Sequence, residues 1–130
     1  MKLIILIFTV VFISACTTND TPNNSSFIID ADAILFNNNL PVDGCSERIT
    51  IVDTKGDEVK TVLPTDATKL LFKNLLDGEI EKIPEGTYSG NLQIPVKLKY
   101  KETKEKGELI CGWNQKSTVE QIDIISITKK

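Results

Sequence analysis

Histidine is absent from the 130 residues, and tryptophan occurs once. Without an imidazole the chain has no Ser-His-Asp or Cys-His nucleophile, no His-ligated zinc and no histidine pH switch, because no other unperturbed side chain titrates near neutrality. An excess of positive charge is missing too: 15 Lys and Arg stand against 18 Asp and Glu, a formal net charge of -3. Nucleic acid and anionic membrane surfaces would meet no dominant basic patch, so no nucleic-acid partner is expected. The length is too short for two domains and fits one small domain with an appendage.

The one long apolar run lies at the start. Lys2 is followed by apolar residues 3–13, broken only by Thr9, and then by Ser14 and Ala15 ahead of Cys16. This is the pattern of a secretory signal over residues 1–15. Eleven residues of helix rise only about 17 Å against about 30 Å of hydrocarbon, which argues against a permanent span. Residues 17–26 contain only Thr, Asn, Asp, Pro and Ser, too polar to bury and therefore a solvated tether.

The tetrad Ile13-Ser14-Ala15-Cys16 resembles the lipobox of bacterial lipoproteins. The resemblance implies cleavage before Cys16, a diacylglycerol on its thiol and usually a third, amide-linked chain. Two or three acyl chains suffice to hold a soluble domain at a bilayer, so the membrane is an expected partner through lipid alone. Thr17, rather than Asp, follows the cysteine, and by the family's sorting rule that favours the outer membrane. The expected location is exported and lipid-anchored to the envelope, facing either the periplasm or the surface.

From residue 27 onward, short apolar runs alternate with turn residues, as in a β-rich domain covering 27–130. Residues 27–29 and 33–36 are candidate first strands. Residues 48–53 and 58–63 flank Thr54-Lys55-Gly56-Asp57 and read as a hairpin. Residues 66–76 carry apolar positions at helical spacing, namely Ala67, Leu70 or Leu71, and Leu75, with Thr65 or Asp66 as the cap and Gly78 as the stop. A buried strand is the alternative there. Residues 92–100 alternate strictly, 108–113 follow across a charged loop, and 119–128 close the chain with Ile122, Ile124, Ile125 and Ile127 switching phase once, as a bulge requires. Five or six strands with one short helix midway predict a mainly β fold, a small closed or partly open OB-like β-barrel. A two-layer β-sandwich is the alternative.

With Cys16 taken by lipid, Cys45 and Cys111 form an even remainder in an exported chain, and a disulfide between them is predicted. No Cys-x-x-Cys exists to suggest redox chemistry. Gly44-Cys45, Cys111-Gly112 and the closing isoleucine ladder also resemble small lipoproteins common in Bacteroidota, most of which lack a known activity. That resemblance implies the barrel and the disulfide, and no reaction.

Other clusters have plain readings. Lys97, Lys99 and Lys101 on one strand face are interleaved with glutamates and read as a solvated face. Asp77, Glu79, Glu81 and Glu85 crowd one loop, but proximity in sequence does not hold two carboxylates in a cleft with separated pKa values. Asp30-Ala31-Asp32 begins like a calcium loop and then fails, with apolar residues at ligand positions. No catalytic residue, metal site or cofactor is expected. Trp113, Tyr100 and Tyr88 are the candidate ligand-binding residues, an aromatic platform for glycan or single-stranded nucleic acid such as OB barrels present, the charge balance arguing against the latter. The function expected is a non-enzymatic binding or accessory module that engages a glycan or an envelope protein. The alternative is an inhibitor or regulatory partner of an envelope or secreted enzyme, with residues 77–90 plugging its cleft.

Overall fold

The computed structural model describes residues 27–38, 44–90 and 92–130. The predicted leader, Cys16 and the tether lie outside the described residues. Five strands form: β1 (Ile29–Phe36), β2 (Arg48–Val52), β3 (Glu58–Pro64), β4 (Gln93–Cys111) and β5 (Gln115–Lys129), with α1 (Lys69–Ile80) between β3 and β4. They close in the order β1-β2-β3-β5-β4, β4 returning to β1, with every pair antiparallel except β3 and β5. This is an OB-like barrel. The sandwich alternative fails because β1 pairs with both β2 and β4, which joins what would have been two sheets.

Alternation decides which residues fill the barrel. The registers Ile29↔Tyr100, Ala31↔Leu98, Ala33↔Val96 and Leu35↔Ile94 stack apolar side chains on one face of β1 and β4, and all eight belong to the core or pack on it. Asp30↔Lys99 and Asp32↔Lys97 take the opposite face. The two candidate strands at 27–29 and 33–36 are therefore one, carried through both aspartates because their side chains point away from the core. On β5 the register steps from Lys99↔Ser126 to Tyr100↔Ile124, leaving Ile125 unpaired. Ile122 and Ile124 are buried before that bulge and Ile127 packs on the core after it, while Ile125 is exposed. The phase switch in the sequence is this bulge.

The predicted hairpin forms. Gly56 has φ of +89°, and Asp53 Oδ1 accepts the backbone N–H of Lys55 at 2.8 Å and of Asp57 at 2.9 Å.

Residues 101–107, predicted as a charged loop, are instead part of a strand. β4 runs unbroken for 19 residues, with a bulge opposite Gln121 where the Thr103 hydroxyl donates to the Gln121 carbonyl at 2.6 Å. A ribbon wet on both sides satisfies its backbone through β5 and asks nothing apolar of its side chains, so hydropathy alone cannot separate it from a loop.

The helix is the predicted one, shifted toward the C-terminus. Its N-cap is Thr68, with no side-chain cap bond, and Gly78 lies inside it. Thr65 lies before the helix instead of capping it, and its hydroxyl donates to Asp123 Oδ1 at 2.5 Å, which anchors the helix entrance to β5. The Thr68 hydroxyl accepts the Ile124 N–H at 3.1 Å. The buried seam is Phe72 and Leu76, with Leu75 and Ile80 beside it, so Leu70 and Ala67 lie off it.

Candidate functional site

Beyond the barrel proper, the ends of β4 and β5 continue as a two-stranded arm, paired from Lys106↔Glu120 to Cys111↔Gln115. Its turn is Gly112 to Gln115, closed by the Gln115 N–H donating to the Gly112 carbonyl. Both central residues have positive φ, Trp113 at 59° and Asn114 at 57°. That is the signature of the type I′ turn, whose twist matches the flanking strands. Asn suits the left-handed region. For a bulky tryptophan the same conformation costs about 1–2 kcal/mol.

The root of the turn is fastened firmly. Cys111 is joined to Cys45 by the predicted disulfide. The Ser46 N–H donates to the Ile110 carbonyl at 2.7 Å, the Gly112 N–H to the Gly44 carbonyl at 2.7 Å, and the Ile110 N–H to Ser46 Oγ at 3.3 Å. Lower on the arm, Gly107 permits close approach: a Cβ there would lie 2.9 Å from Leu63 Cδ1. On this support Trp113 is 88% exposed. A large apolar ring held in water on a disfavoured backbone contributes little to folding, and such outliers cluster where ligands bind.

The other two candidate aromatics do not join it in a platform. Tyr100 is 3% exposed and faces the core, so it is removed from the ligand-binding set. Burial raises its phenol pKa, and the Lys60 ammonium stands 6.0 Å from its ring centroid. The inward phase of β4 places it there, opposite Ile29 and Ile124. Tyr88 is exposed in the connection after α1, and its ring fills the space where a Cβ on Gly90 would sit. That connection is tied to the end of β1 by Asn37 Nδ2, which donates to the Ser89 carbonyl at 3.1 Å, and by the Asn37 N–H donating to the Leu92 carbonyl at 3.3 Å. The strained turn at Trp113 is the feature that sequence reading missed, because Trp-Asn is not a recognised I′ pair as Asn-Gly is.

Charged groups are paired across strands. Lys97 lies 2.6 Å and Lys130 2.9 Å from Asp32 Oδ1, and Lys99 lies 3.4 Å from Asp30. The lysine face is solvated as predicted, and two of its members, Lys97 and Lys99, also pair across to β1. Asp77 pairs with Lys73, and Glu79 accepts from Lys129 at 2.6 Å and also pairs with Lys82. Residues 77–80 thus belong to α1, which shortens the segment available to plug another protein's cleft. Hydrogen bonds from Lys97 and then Lys130 hold the Asp32 carboxyl below its ordinary 3.8, and bonds from Lys129 and then Lys82 do the same for Glu79. A general acid needs the reverse shift.

These two depressed carboxyls carry a pH prediction. A group whose folded pKa lies below its unfolded one stabilises fully above the unfolded value, and the gain is lost as pH falls through the folded value. The urea midpoint is expected to hold from neutrality to about pH 5 and to fall below about pH 4. In Asp32→Asn and Glu79→Gln the acid fall should be shallower, and an equally steep fall in both would refute the assignment. Each effect is small because both carboxylates meet solvent.

Two grooves mark the described surface. One of about 540 Å³ runs along the β1–β4 ladder, lined by Asp30, Asp32, Asp53, Lys97, Lys99 and Thr128, with Asp32 paired to Lys97 and Asp30 to Lys99. The other, about 420 Å³, lies beneath the arm between Gly107, Leu63, Ser46, Asp66 and Phe72. Among the described residues no group of three or more His, Cys, Asp or Glu is placed to hold a metal ion. No protein-family model matches this chain, and neither a curated protein nor a solved structure matches it.

Proposed function

We propose that this chain is a lipid-anchored cell-envelope protein whose OB-like domain is a non-enzymatic recognition module, with Trp113 as the contact residue and a glycan as the ligand. The observation that carries the reading is Trp113 itself, 88% exposed on a left-handed backbone and braced by the disulfide two residues earlier. An indole face stacks on the apolar face of a sugar ring as it does on any flat apolar surface. The neighbouring Asn114, Gln115, Ser117 and Thr118 supply neutral donors and acceptors suited to hydroxyl groups. The acidic balance of the chain disfavours a polyanion at the same place. Lipid on Cys16 would hold the module at the membrane, and Thr17 favours the outer one.

Binding and folding separate cleanly at this residue. Trp113→Ala is expected to abolish binding on an array of envelope polysaccharides while leaving the melting temperature within a few degrees of the parent. Trp113→Gly relieves the left-handed strain and is expected to gain up to about 1 kcal/mol in unfolding free energy while losing the same binding. Glycan binding that survives both substitutions, or a tip whose truncation unfolds the domain, would contradict the reading. Recovery of one hydrolase with stoichiometric loss of its activity would favour the inhibitor instead.

A further inference from the structure

We propose that the barrel end where β1 begins, marked by Phe27, Ile28 and Ile125, rests on the surface of a phospholipid bilayer. The inference depends on the lipid anchor at Cys16 proposed above. Ten residues separate that cysteine from Phe27. Ten residues reach at most about 36 Å, and a random coil of that length spans about 17 Å on average, so an anchor at Cys16 would keep the start of β1 within that distance of the lipid. At that point the chain presents two large apolar side chains to water, Phe27 at 80% exposure and Ile28 at 55%.

A third apolar residue belongs to the same end. The registers Ile29↔Tyr100 and Tyr100↔Ile124 place the start of β1 and the bulge of β5 on either side of one stretch of β4. Ile125, exposed at that bulge, therefore lies across β4 from Ile28, with Lys99 and Lys101 on the strand between them. Lys99 faces Asp30 at 3.4 Å, which offsets one of the two lysine charges at this end. Apolar tips flanking lysines fit an interfacial seat, the rings and branched chains entering the acyl boundary while the ammonium groups stay among the headgroups. Neither Phe27 nor Ile28 belongs to the core, so their exposure is not a by-product of packing.

The seat also orients the recognition arm. Cys45, bonded to the root of the Trp113 turn, leads into β2, whose Arg48 pairs with Phe36 at the opposite end of β1. The eight residues of β1 span about 26 Å at 3.3 Å each. With Phe27 at the membrane, Trp113 is offered on the side away from it.

The test uses the full acylated protein reconstituted in phosphatidylcholine vesicles, with and without brominated acyl chains that quench tryptophan on contact. Native Trp113 is read in the parent, and the membrane end is read in Phe27→Trp and, separately, Ile28→Trp, each combined with Trp113→Phe. Quenching of at least twofold at position 27 or 28, with Trp113 unaffected, is the expected result. Acylated protein that shows no quenching at either position, or that shows quenching at Trp113, overturns the seat while leaving the anchor intact. An intact mass without acyl chains overturns the anchor and the seat together.

Discussion

Replacing Cys45 and Cys111 together by alanine is expected to lower the unfolding free energy by about 4 kcal/mol. The two residues lie 66 apart in sequence, and in chain-entropy terms a bond closing a loop of that size removes about this much freedom from the unfolded state. A domain of this size has roughly 5–15 kcal/mol in all, so the loss is a large fraction of it. At about 4–8 °C per kcal/mol the melting temperature should fall by about 15–30 °C. Addition of a dithiol reductant should bring the parent's melt down to that of the variant. A fall of less than about 1 kcal/mol would mean that the backbone bonds from Gly44 and Ser46 to the arm close it unaided. The bond joins the segment leading into β2 to the end of β4, so its loss also frees the root of the Trp113 turn.

Phe72→Ala is expected to cost about 3–5 kcal/mol, the range for truncating a buried aromatic ring that leaves a cavity behind. Phe72 is 1% exposed and belongs to the same buried cluster as β-strand residues Leu35, Ile49 and Val62, so its ring has little freedom to be replaced by inward collapse. Leu70, two residues earlier and 70% exposed, is the internal comparison, and Leu70→Ala should change stability by no more than about 0.5 kcal/mol. Urea unfolding of the two variants beside the parent decides it. Similar small losses in both would mean that the helix is not part of the barrel's core.

Much of the barrel was legible because a strand with one wet face writes its orientation into every second residue. Residues 92–100 and the isoleucines of 119–128 announce strands, and the single phase change among those isoleucines announces the bulge at Ile125. The hairpin around Gly56 was visible in its turn residues. What escaped was structure decided by contact with remote strands. Residues 101, 102 and 106 pair with β5 while exposing charge, those between them forming a bulge, and the helix seam fell at Phe72 and Leu76, in one cluster with Leu35 and Ile122 of distant strands. Both depend on partners in other strands, at least 14 residues away in the pairs Lys106↔Glu120 and Lys101↔Asp123, which local periodicity does not register.

At the candidate site the same division applies. Trp113 stood out in sequence as the single tryptophan, and the cysteine pair as an even remainder. The removal of Tyr100 from the surface, and the left-handed turn that holds Trp113 out in water, followed from β4 passing through the barrel wall and leaving it again as an arm.

Composition by itself determined that histidine chemistry is impossible here, and the apolar alternation that strands dominate, while Cys45 and Cys111 were visible as a pair in the β-rich part of the chain. Alternation and turn residues are local properties, written within a few positions of each other. Tertiary structure decided the rest: closure of five strands with β3 parallel to β5, the burial of Tyr100 against the exposure of Trp113, and the placing of Phe27 and the arm's disulfide root toward opposite ends of β1. Those outcomes turn on which strands meet, and pairing between remote segments is settled by the joint burial of their apolar faces, a quantity no single stretch of the chain contains.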